Sequence, residues 1–267
     1  MTGIPLSIPG SARLIGVMAD PVAQVRTPQL LSEAFAEASV EALCLPMHVP
    51  AGNLGAALDA ARSIRNISGF VLTIPHKEQG VAFCDAVSER VTLSGSVNAV
   101  RVQPDGSLLG ETFDGRGFVG GLKQAGYAIA GKRVLLVGAG GAAASIAAEL
   151  LTEGISELHL LNRTPERAER LAARLAPAFP DRRIGLAGAE AAPVDLVVNA
   201  TSVGLRGDDP MPLTADRLAG ADMVAEALVP PQQTALGRAA QEAGIAYLDG
   251  RAMLQGQLGL LRDFFSA

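Results

Sequence analysis

Short runs of Leu, Val and Ile alternate with Ala-rich segments of helical length along most of this chain. In the first half, this pattern predicts strands at 13–18, 42–47 and 69–74 and helices at 28–38 and 54–64. Strands that alternate with helices of this length form a parallel sheet with helices packed on its faces. The alternation therefore restricts the chain to the α/β class.

A second and more regular series of the same kind follows. A pair of short strands that looks antiparallel, predicted at 99–102 and 108–109 around a Pro-Asp-Gly turn, separates the two series. The second series is predicted to contain strands at 134–137, 158–161, 195–199, 223–228 and 245–248, helices at 141–151, 164–175 and 234–243, and a final amphipathic helix at 252–265. We therefore predict two α/β units, with the boundary within 109–131.

Composition and charge exclude several classes of protein. The 267 residues include 27 acidic and 22 basic side chains, and 49% are hydrophobic, which excludes a disordered chain and argues against nucleic acid as a partner. Two cysteines are too few for a disulfide framework, and the three separated histidines do not predict a metal site. The N-terminal segment lacks the basic start of a signal peptide, and the charge-free stretch 134–148 is too short to span a membrane. We expect a cytoplasmic protein that binds neither metal nor membrane.

A glycine-rich loop lies between the first strand and the first helix of the second series. Its sequence, GAGGAA at 138–143, matches G-x-G-x-x-G/A in the strand–loop–helix context that this pattern requires. Gly138 permits the tight turn, Gly140 lets the backbone approach a pyrophosphate, and Ala143 allows the helix to pack closely on the sheet. The residues predicted to bind a dinucleotide here are Gly138, Ala139, Gly140, Gly141 and Ala142.

The end of the next strand distinguishes between the two nicotinamide dinucleotides. A site selective for NAD places Asp or Glu there to bind the ribose 2′-hydroxyl. This chain instead has Asn162, Arg163 and Thr164, with Arg167 one helical turn later. A guanidinium and a hydroxyl at a helix N-terminus suit a 2′-phosphate, so the sequence favours NADP over NAD. A purely solvent-exposed role for Arg167 remains an alternative.

Several further motifs, in the order expected, resemble the shikimate dehydrogenase family over nearly the whole chain. They are Thr73-Ile-Pro-His-Lys77, Ser96-Val-Asn98, Phe113-Asp-Gly115, Asn199-Ala-Thr-Ser202 with Gly204, and Asp249-Gly250 with Met253-Leu254 and Gln257. The glycine loop and the Asn-Arg-Thr-x-x-Arg segment are similar to the cofactor signature of the same family.

The resemblance implies a reversible hydride transfer between NADP and shikimate, giving 3-dehydroshikimate. It implies a substrate-binding α/β domain at 1–113, completed by a C-terminal helix at 249–267, and a Rossmann-type domain at 114–248. The cleft between the two domains is the active site in that family. By the same resemblance, Thr201, Ser202, Val203 and Gly250 bind the cofactor, and Thr73 binds the substrate.

Lys77 and Asp114 are the predicted acid–base pair. Oxidising an alcohol by hydride loss requires a group that takes the hydroxyl proton. Lys77 stands just after an apolar strand, at the end where ligands bind in open α/β sheets, and Asp114 can orient its ammonium group. A lysine in such a place is usually solvated, and it is the resemblance that favours a catalytic role. Asn98 and Gln257 carry a donor and an acceptor each, which suits neighbouring hydroxyls of a substrate.

The part of the substrate site that faces a carboxylate departs from the family pattern. Relatives carry two serines, as S-x-S-P, in the loop after the first strand, whereas this chain has Val25 and Thr27. One hydroxyl donor is thus missing, and Gln24 or Arg26 is a candidate to replace it. Losing a hydrogen bond to a charged group weakens binding by about tenfold to a hundredfold.

Two other substitutions lie in the same half of the site. Val71 replaces an asparagine, and Val229 replaces a tyrosine that in relatives closes the cleft beside substrate and nicotinamide. The residues before Asp114, Thr112 and Phe113, also differ from the usual pair. The chain is therefore predicted to be a shikimate dehydrogenase-like paralogue with an altered carboxylate clamp.

Three alternatives remain open. Thr27 favours a dehydrogenase for quinate or a modified shikimate, since quinate-active relatives often carry threonine there. A sensor that binds the dinucleotide without turnover is disfavoured by the presence of both Lys77 and Asp114. A folate-type methylene dehydrogenase lacks support from Asn98, Asp114 and Gln257. Either a monomer or a homodimer is compatible with the sequence.

Overall fold

The computed structural model describes residues 8–188, 193–206, 208–229 and 232–267. The chain separates into two compact units. The first contains Met1–Ala86, Asn98–Gly110 and Leu258–Ala267, and the second contains Val87–Val97 and Glu111–Gln257. Each unit is built around its own sheet, as the two series in the sequence predict.

The first unit contains a mixed sheet with the strand order β2-β1-β3-β5-β6-β4. Its elements are β1 (Arg13–Ala19), α1 (Thr27–Glu37), β2 (Ala42–His48), α2 (Leu54–Ala61), β3 (Ile67–Leu72), β4 (Ala86–Val87), β5 (Ala99–Val102) and β6 (Leu108–Glu111). Strand β1 pairs in parallel with both β2 and β3, whereas β5 runs antiparallel to β3. Leu31 and Phe35 of α1 are fully buried, because the apolar positions of this helix face the sheet.

The second unit contains a parallel sheet with the order β12-β11-β10-β7-β8-β9. Its elements are α3 (Glu89–Ser94), α4 (Asp114–Gln124), β7 (Arg133–Val137), α5 (Gly141–Thr152), β8 (Glu157–Leu161), α6 (Pro165–Leu175), β9 (Arg183–Leu186), β10 (Leu196–Asn199), β11 (Met223–Glu226), α7 (Ala235–Glu242), β12 (Ala246–Leu248) and α8 (Gly250–Ser266). The end of α8 belongs to the first unit. The chain winds outward from β7 through β8 and β9, then crosses to β10 on the other side of β7. This order is that of the Rossmann fold, in which ligands bind where the winding reverses, here between β7 and β10.

Helix α4 was not predicted, because four of its first eight residues are glycine and glycine disfavours helices. The structure gives a reason for this composition. A Cβ atom at Gly115 would lie 2.2 Å from the backbone oxygen of Ser145 in α5. Helices α4 and α5 therefore pack with their backbones nearly in contact, which places the start of α4 firmly on the second unit.

The compact units and the predicted domain bounds differ in three segments, of which the shortest is 111–113, just before α4. Residues 87–97 belong to the second unit because α3 packs against α5 and α6. Residues 249–257 also belong there, because Ala252 and Gln257 of α8 contact α4. The division of function between 1–113 with 249–267 and 114–248 stays a prediction. Strand β3 also begins and ends two residues earlier than predicted, which leaves Thr73 and Ile74 in the following loop.

Candidate active site

The loop after β7 passes very close to the loop after β10. The Gly138 N–H donates to the carbonyl oxygen of Leu161 at 2.8 Å, and Gly138 has a φ of +117°, which other residues rarely adopt. A Cβ atom at this position would lie 2.9 Å from the backbone oxygen of Ala200. Glycine is therefore required here by both conformation and space.

Helix α5 begins immediately after this turn. Gly140 is its N-cap with extended backbone, and no side chain of the described residues caps the helix. Its first N–H groups are therefore available to an anion, which the helix dipole also favours. Ala143 is fully buried where α5 packs on the sheet. The predicted set from Gly138 to Ala142 thus lies in a loop that fits a pyrophosphate.

The residues predicted to discriminate NADP from NAD follow β8, the neighbour of β7. The side-chain amide of Asn162 donates to the carbonyl oxygen of Thr164 at 2.8 Å and fixes the turn into α6. Arg163, Thr164 and Arg167 are exposed at this edge of the sheet. The first acidic residue after β8 is Glu166, which lies within α6 rather than at the strand end. The strand end therefore presents a cation and a hydroxyl instead of a carboxylate.

Asn199 organises the loop after β10 from inside the protein. Its Oδ1 accepts hydrogen bonds from the Thr201 N–H at 3.1 Å and the Thr201 hydroxyl at 2.7 Å. Its Nδ2 donates to the Val203 carbonyl at 3.1 Å and to Glu226 Oε1 at 2.7 Å. The predicted cofactor contacts Thr201, Ser202 and Val203 therefore belong to a loop whose shape is set by one buried amide.

Glu226, which the sequence analysis missed, completes this network. It is 1% exposed at the end of β11, and its Oε2 accepts from the hydroxyls of Thr234 and Tyr247, both at 2.6 Å. Burial and the hydrogen-bonded Glu226 carboxylate raise the pKa of Tyr247, so its hydroxyl stays a donor. A lone carboxylate within the apolar run 223–228 was the signal that could have revealed it.

The second unit also contains Asp114, at the start of helix α4. Asp114 is the first residue of α4 and is 2% exposed. The Gly115 N–H donates to the hydroxyl of Ser145 in α5 at 3.0 Å, and Thr112 Oγ1 lies 3.0 Å from the same oxygen. Ser145, also missed from the sequence, thus fixes the start of α4 one turn along the helix that begins at the glycine loop.

The end of the second unit supplies two further predicted residues. The side chain of Gln257 packs against Gly117, one turn after Asp114. The Gly250 N–H donates to the Leu228 carbonyl at 3.1 Å, just beyond the end of β11. Both positions therefore lie within the unit that carries the glycine loop.

In the first unit, the predicted residues Thr73, Asn98 and Lys77 lie near the carboxyl ends of β1 and β3. The Thr73 N–H donates to the Met18 carbonyl at 3.1 Å, and the Leu72 N–H donates to the Asn98 carbonyl at 2.8 Å. Lys77 follows in a tight turn and is partly exposed, whereas His76 is fully buried with Nε2 2.8 Å from the Val49 carbonyl oxygen. Thr73, Asn98 and Lys77 are thus positioned by one strand end.

The loop after β1, predicted to contain the altered clamp, lies beside this turn. The Asp20 N–H donates to the Ile74 carbonyl at 3.0 Å, and the hydrogen bond from His48 holds the pKa of Asp20 below its usual value. The Gln24 amide donates to the Pro21 carbonyl at 2.8 Å, so it is engaged within its own loop. Arg26 is exposed immediately before α1, which begins at Thr27.

The two remaining substitutions lie in different settings. Val71 is 5% exposed and lies in β3 between Val17 and Ala99, as an apolar residue of the sheet interior. Val229 is partly buried after β11. The described residues contain no group of three or more His, Cys, Asp or Glu side chains that could hold a metal ion. Within the described ranges, no helix is long and apolar enough to cross a membrane.

Comparison with known sequences decides the family. Residues 17–100 match the family described as the shikimate dehydrogenase substrate binding domain, and residues 122–205 match the one described as shikimate / quinate 5-dehydrogenase. The chain belongs to the shikimate dehydrogenase family. The family and the two-domain α/β fold expected from the motifs are therefore confirmed.

Individual relatives of this family align over nearly the whole chain. The shikimate dehydrogenase (NADP(+)) of Rubrobacter xylanophilus is 40% identical over 92% of this chain and 88% of its own. The structure of the Thermus thermophilus shikimate 5-dehydrogenase with NADP(H) and shikimate has a TM-score of 0.84 at 31% identity, covering 95% and 93% of the two chains. A quinate dehydrogenase of Corynebacterium glutamicum with NAD has a TM-score of 0.85 at 26% identity, covering 96% and 94%.

Replacing Glu226 tests the buried network that shapes the 199–204 loop. In Glu226→Ala, the donors of Asn199, Thr234 and Tyr247 lose their acceptor, so we expect the free energy of unfolding to fall by at least about 3 kcal/mol. Tyr247→Phe removes a single donor and should lower it by about 1–2 kcal/mol. Urea denaturation measures both values, and hydrogen exchange at the Thr201 and Val203 amides should accelerate in Glu226→Ala. Equal stability of the two variants with unchanged exchange would contradict the network.

Proposed function

We propose that this protein catalyses the reversible oxidation of shikimate to 3-dehydroshikimate with NADP. The observation that carries the proposal is the arrangement at the carboxyl ends of β7 and β8 in the second sheet. There the uncapped start of α5 follows Gly138, and the adjacent strand β8 ends in Arg163 and Thr164 rather than in a carboxylate. The named activity of a relative that is 40% identical supports the same reaction.

The residues at this edge fit a phosphorylated dinucleotide. The N–H groups at the start of α5 suit the pyrophosphate, and the guanidinium of Arg163 suits the 2′-phosphate dianion. The loop braced by Asn199 would hold the nicotinamide end through Thr201, Ser202 and Val203. When bound, the dinucleotide accepts a hydride from the substrate carbinol carbon or returns it.

Lys77 and Asp114 supply the proton chemistry. In the oxidation direction, the Nζ of Lys77 takes the hydroxyl proton as the hydride leaves the carbon that bears this hydroxyl, and in the reverse direction it returns the proton. The Asp114 carboxylate accepts a hydrogen bond from a substrate hydroxyl. Burial of Asp114 restricts its rotation, which favours a fixed orientation. The amides of Asn98 and Gln257 and the hydroxyl of Thr73 bind the remaining hydroxyl groups.

The carboxylate end of the substrate is bound by an altered clamp. Thr27 keeps one hydroxyl at the start of α1, whereas Val25 offers no side-chain donor. Gln24 already donates within its own loop, so Arg26, exposed beside Thr27, is the better candidate for a replacement cation. A single threonine at this position also favours quinate as the second candidate substrate.

We further propose that the protein works in the cytoplasm. Cys44 and Cys84 are both free thiols. Burial raises the pKa of Cys44 to about 12 and that of Cys84 to about 11, so both thiols stay protonated at neutral pH. Free thiols are typical of proteins in the reducing environment of the cytoplasm.

Steady-state rates with shikimate and quinate, each measured with NADP and NAD, test the proposed reaction. We expect the highest kcat/KM for shikimate with NADP, because the β8 end offers a partner to the 2′-phosphate. Quinate turnover exceeding shikimate turnover would favour the second candidate. Binding of a dinucleotide without turnover of either acid would overturn the proposal and indicate a sensor.

Restoring the missing hydroxyl tests the altered clamp. In Val25→Ser we expect the KM for shikimate to fall by about tenfold to a hundredfold with little change in kcat, because the carboxylate is remote from the reacting carbon. Val25→Ala is the matched control, since it removes the same bulk without adding a donor. If the serine and alanine variants have the same KM, position 25 does not face the carboxylate.

A further inference from the structure

A cavity of about 270 Å³ lies at the amino edge of the first sheet. It is bordered by the starts of β1 and β3 and by the end of β5, which runs antiparallel to them. Because β3 has six residues, which rise about 20 Å in all, this edge is far from the strand end that carries Lys77. The residues that matter in its wall are Arg13, Arg62, Arg65, Ser68, Arg101 and Phe265.

The four arginines of this wall outnumber the negative groups near them, which are Asp59 and Asp85 beside Arg62 and the terminal carboxylate of Ala267. Arg62 is paired, with Nη1 2.7 Å from Asp85 and Nε 3.5 Å from Asp59. Among the described residues, no ion pair joins Arg13, Arg65 or Arg101 to a carboxylate. Like charges gathered around one space repel each other, so an anion within it would stabilise the arrangement.

Two of these arginines are held in place by neutral partners. Arg13 donates to the Phe265 carbonyl at 3.3 Å, and Arg101 donates to the Phe264 carbonyl at 3.0 Å. The Arg101 guanidinium also lies 5.0 Å from the centre of the Phe264 ring. The last turn of α8 therefore fixes both guanidinium groups without neutralising them.

One donor of this cluster has no acceptor. The Nε of Arg101 is buried and makes no hydrogen bond in the part of the chain that the structure describes. A buried donor without a partner is destabilising, and a bound anion is one way to remove that cost. Arg65, by contrast, is exposed and also lines the cavity, where it is available to a ligand.

We propose that this cavity binds a phosphate monoester. Guanidinium groups bind phosphate oxygens through charge-assisted hydrogen bonds, and Arg101 and Arg65 both line the cavity. The volume is close to the lower end of small-molecule pockets, so there is room for more than the phosphate itself. Ile64, Ile67 and Pro104 of the wall suit the organic part of such an ester. The ligand would bind at the edge opposite to Lys77 and would stabilise the anchorage of α8.

Calorimetric titration of the NADP-saturated protein with glycerol 3-phosphate tests this site. Saturation with NADP occupies the proposed dinucleotide site at Arg163, so that the ester does not bind there and contribute to the measured heat. We expect wild-type protein to bind the ester, Arg65→Gln to bind it at least about tenfold more weakly, and glycerol not to bind. Arg170→Gln, which removes an equally exposed arginine from α6, is the matched control and should bind as wild type does.

Three results would overturn the proposal. They are no binding by the wild-type protein, equal binding by the Arg65 and Arg170 variants, and sulfate binding as tightly as the ester. The last result would indicate a general anion site rather than one for a phosphate ester. Melting temperatures measured with and without the ester give an independent readout, since a ligand of the folded state raises them.

Discussion

The backbone after β7 passes so close to the Ala200 carbonyl that position 138 has no room for a side chain. This close approach joins the two halves of the second sheet where its winding reverses. It brings the start of α5 next to the 199–204 loop, whose conformation is fixed by hydrogen bonds of the buried Asn199 side chain. The helix end proposed to bind the pyrophosphate and the loop proposed to hold the nicotinamide therefore depend on one contact between two strand ends.

The periodicity of apolar residues predicts most of the fold. A strand or helix that is buried on one face has apolar residues at the regular spacing that places them on that face. It fails where tertiary packing overrides local preference. Helix α4 is rich in glycine, and its close contacts with Ser145 in α5 and with Ala252 and Gln257 in α8 account for this composition. Two elements are too short to show a clear period of apolar residues. They are strand β9, at the edge of the second sheet, and helix α3, which has six residues.

The same limit applies to the site. Motifs locate the groups proposed to meet substrate or cofactor, such as Lys77, Asp114 and the glycine loop, because their chemistry requires particular residue types. The side chains that hold these loops in shape, Glu226 and Ser145, carry no such signature. Their roles arise from partners distant in sequence, which the fold alone brings within hydrogen-bond distance. The departures at Val25 and Val229 are visible in the sequence, but their effect depends on neighbours such as Gln24.

The two edges of the first sheet have contrasting chemistry. The carboxyl edge presents Lys77, Thr73 and the Asp20 loop, which suit a hydroxylated substrate. The amino edge presents a cluster of arginines that suits a phosphate. One sheet can therefore serve two ligands without overlap of their sites.

The role of Lys77 as the group that exchanges the substrate proton is the central claim. Its most direct test compares the kcat of Lys77→Ala with its NADPH dissociation constant, with Lys123→Ala as the control. We predict that kcat falls by at least about a hundredfold, while NADPH binds Lys77→Ala as tightly as it binds the wild-type protein. Wild-type turnover by Lys77→Ala, or loss of turnover caused entirely by loss of NADPH binding, would contradict the claim.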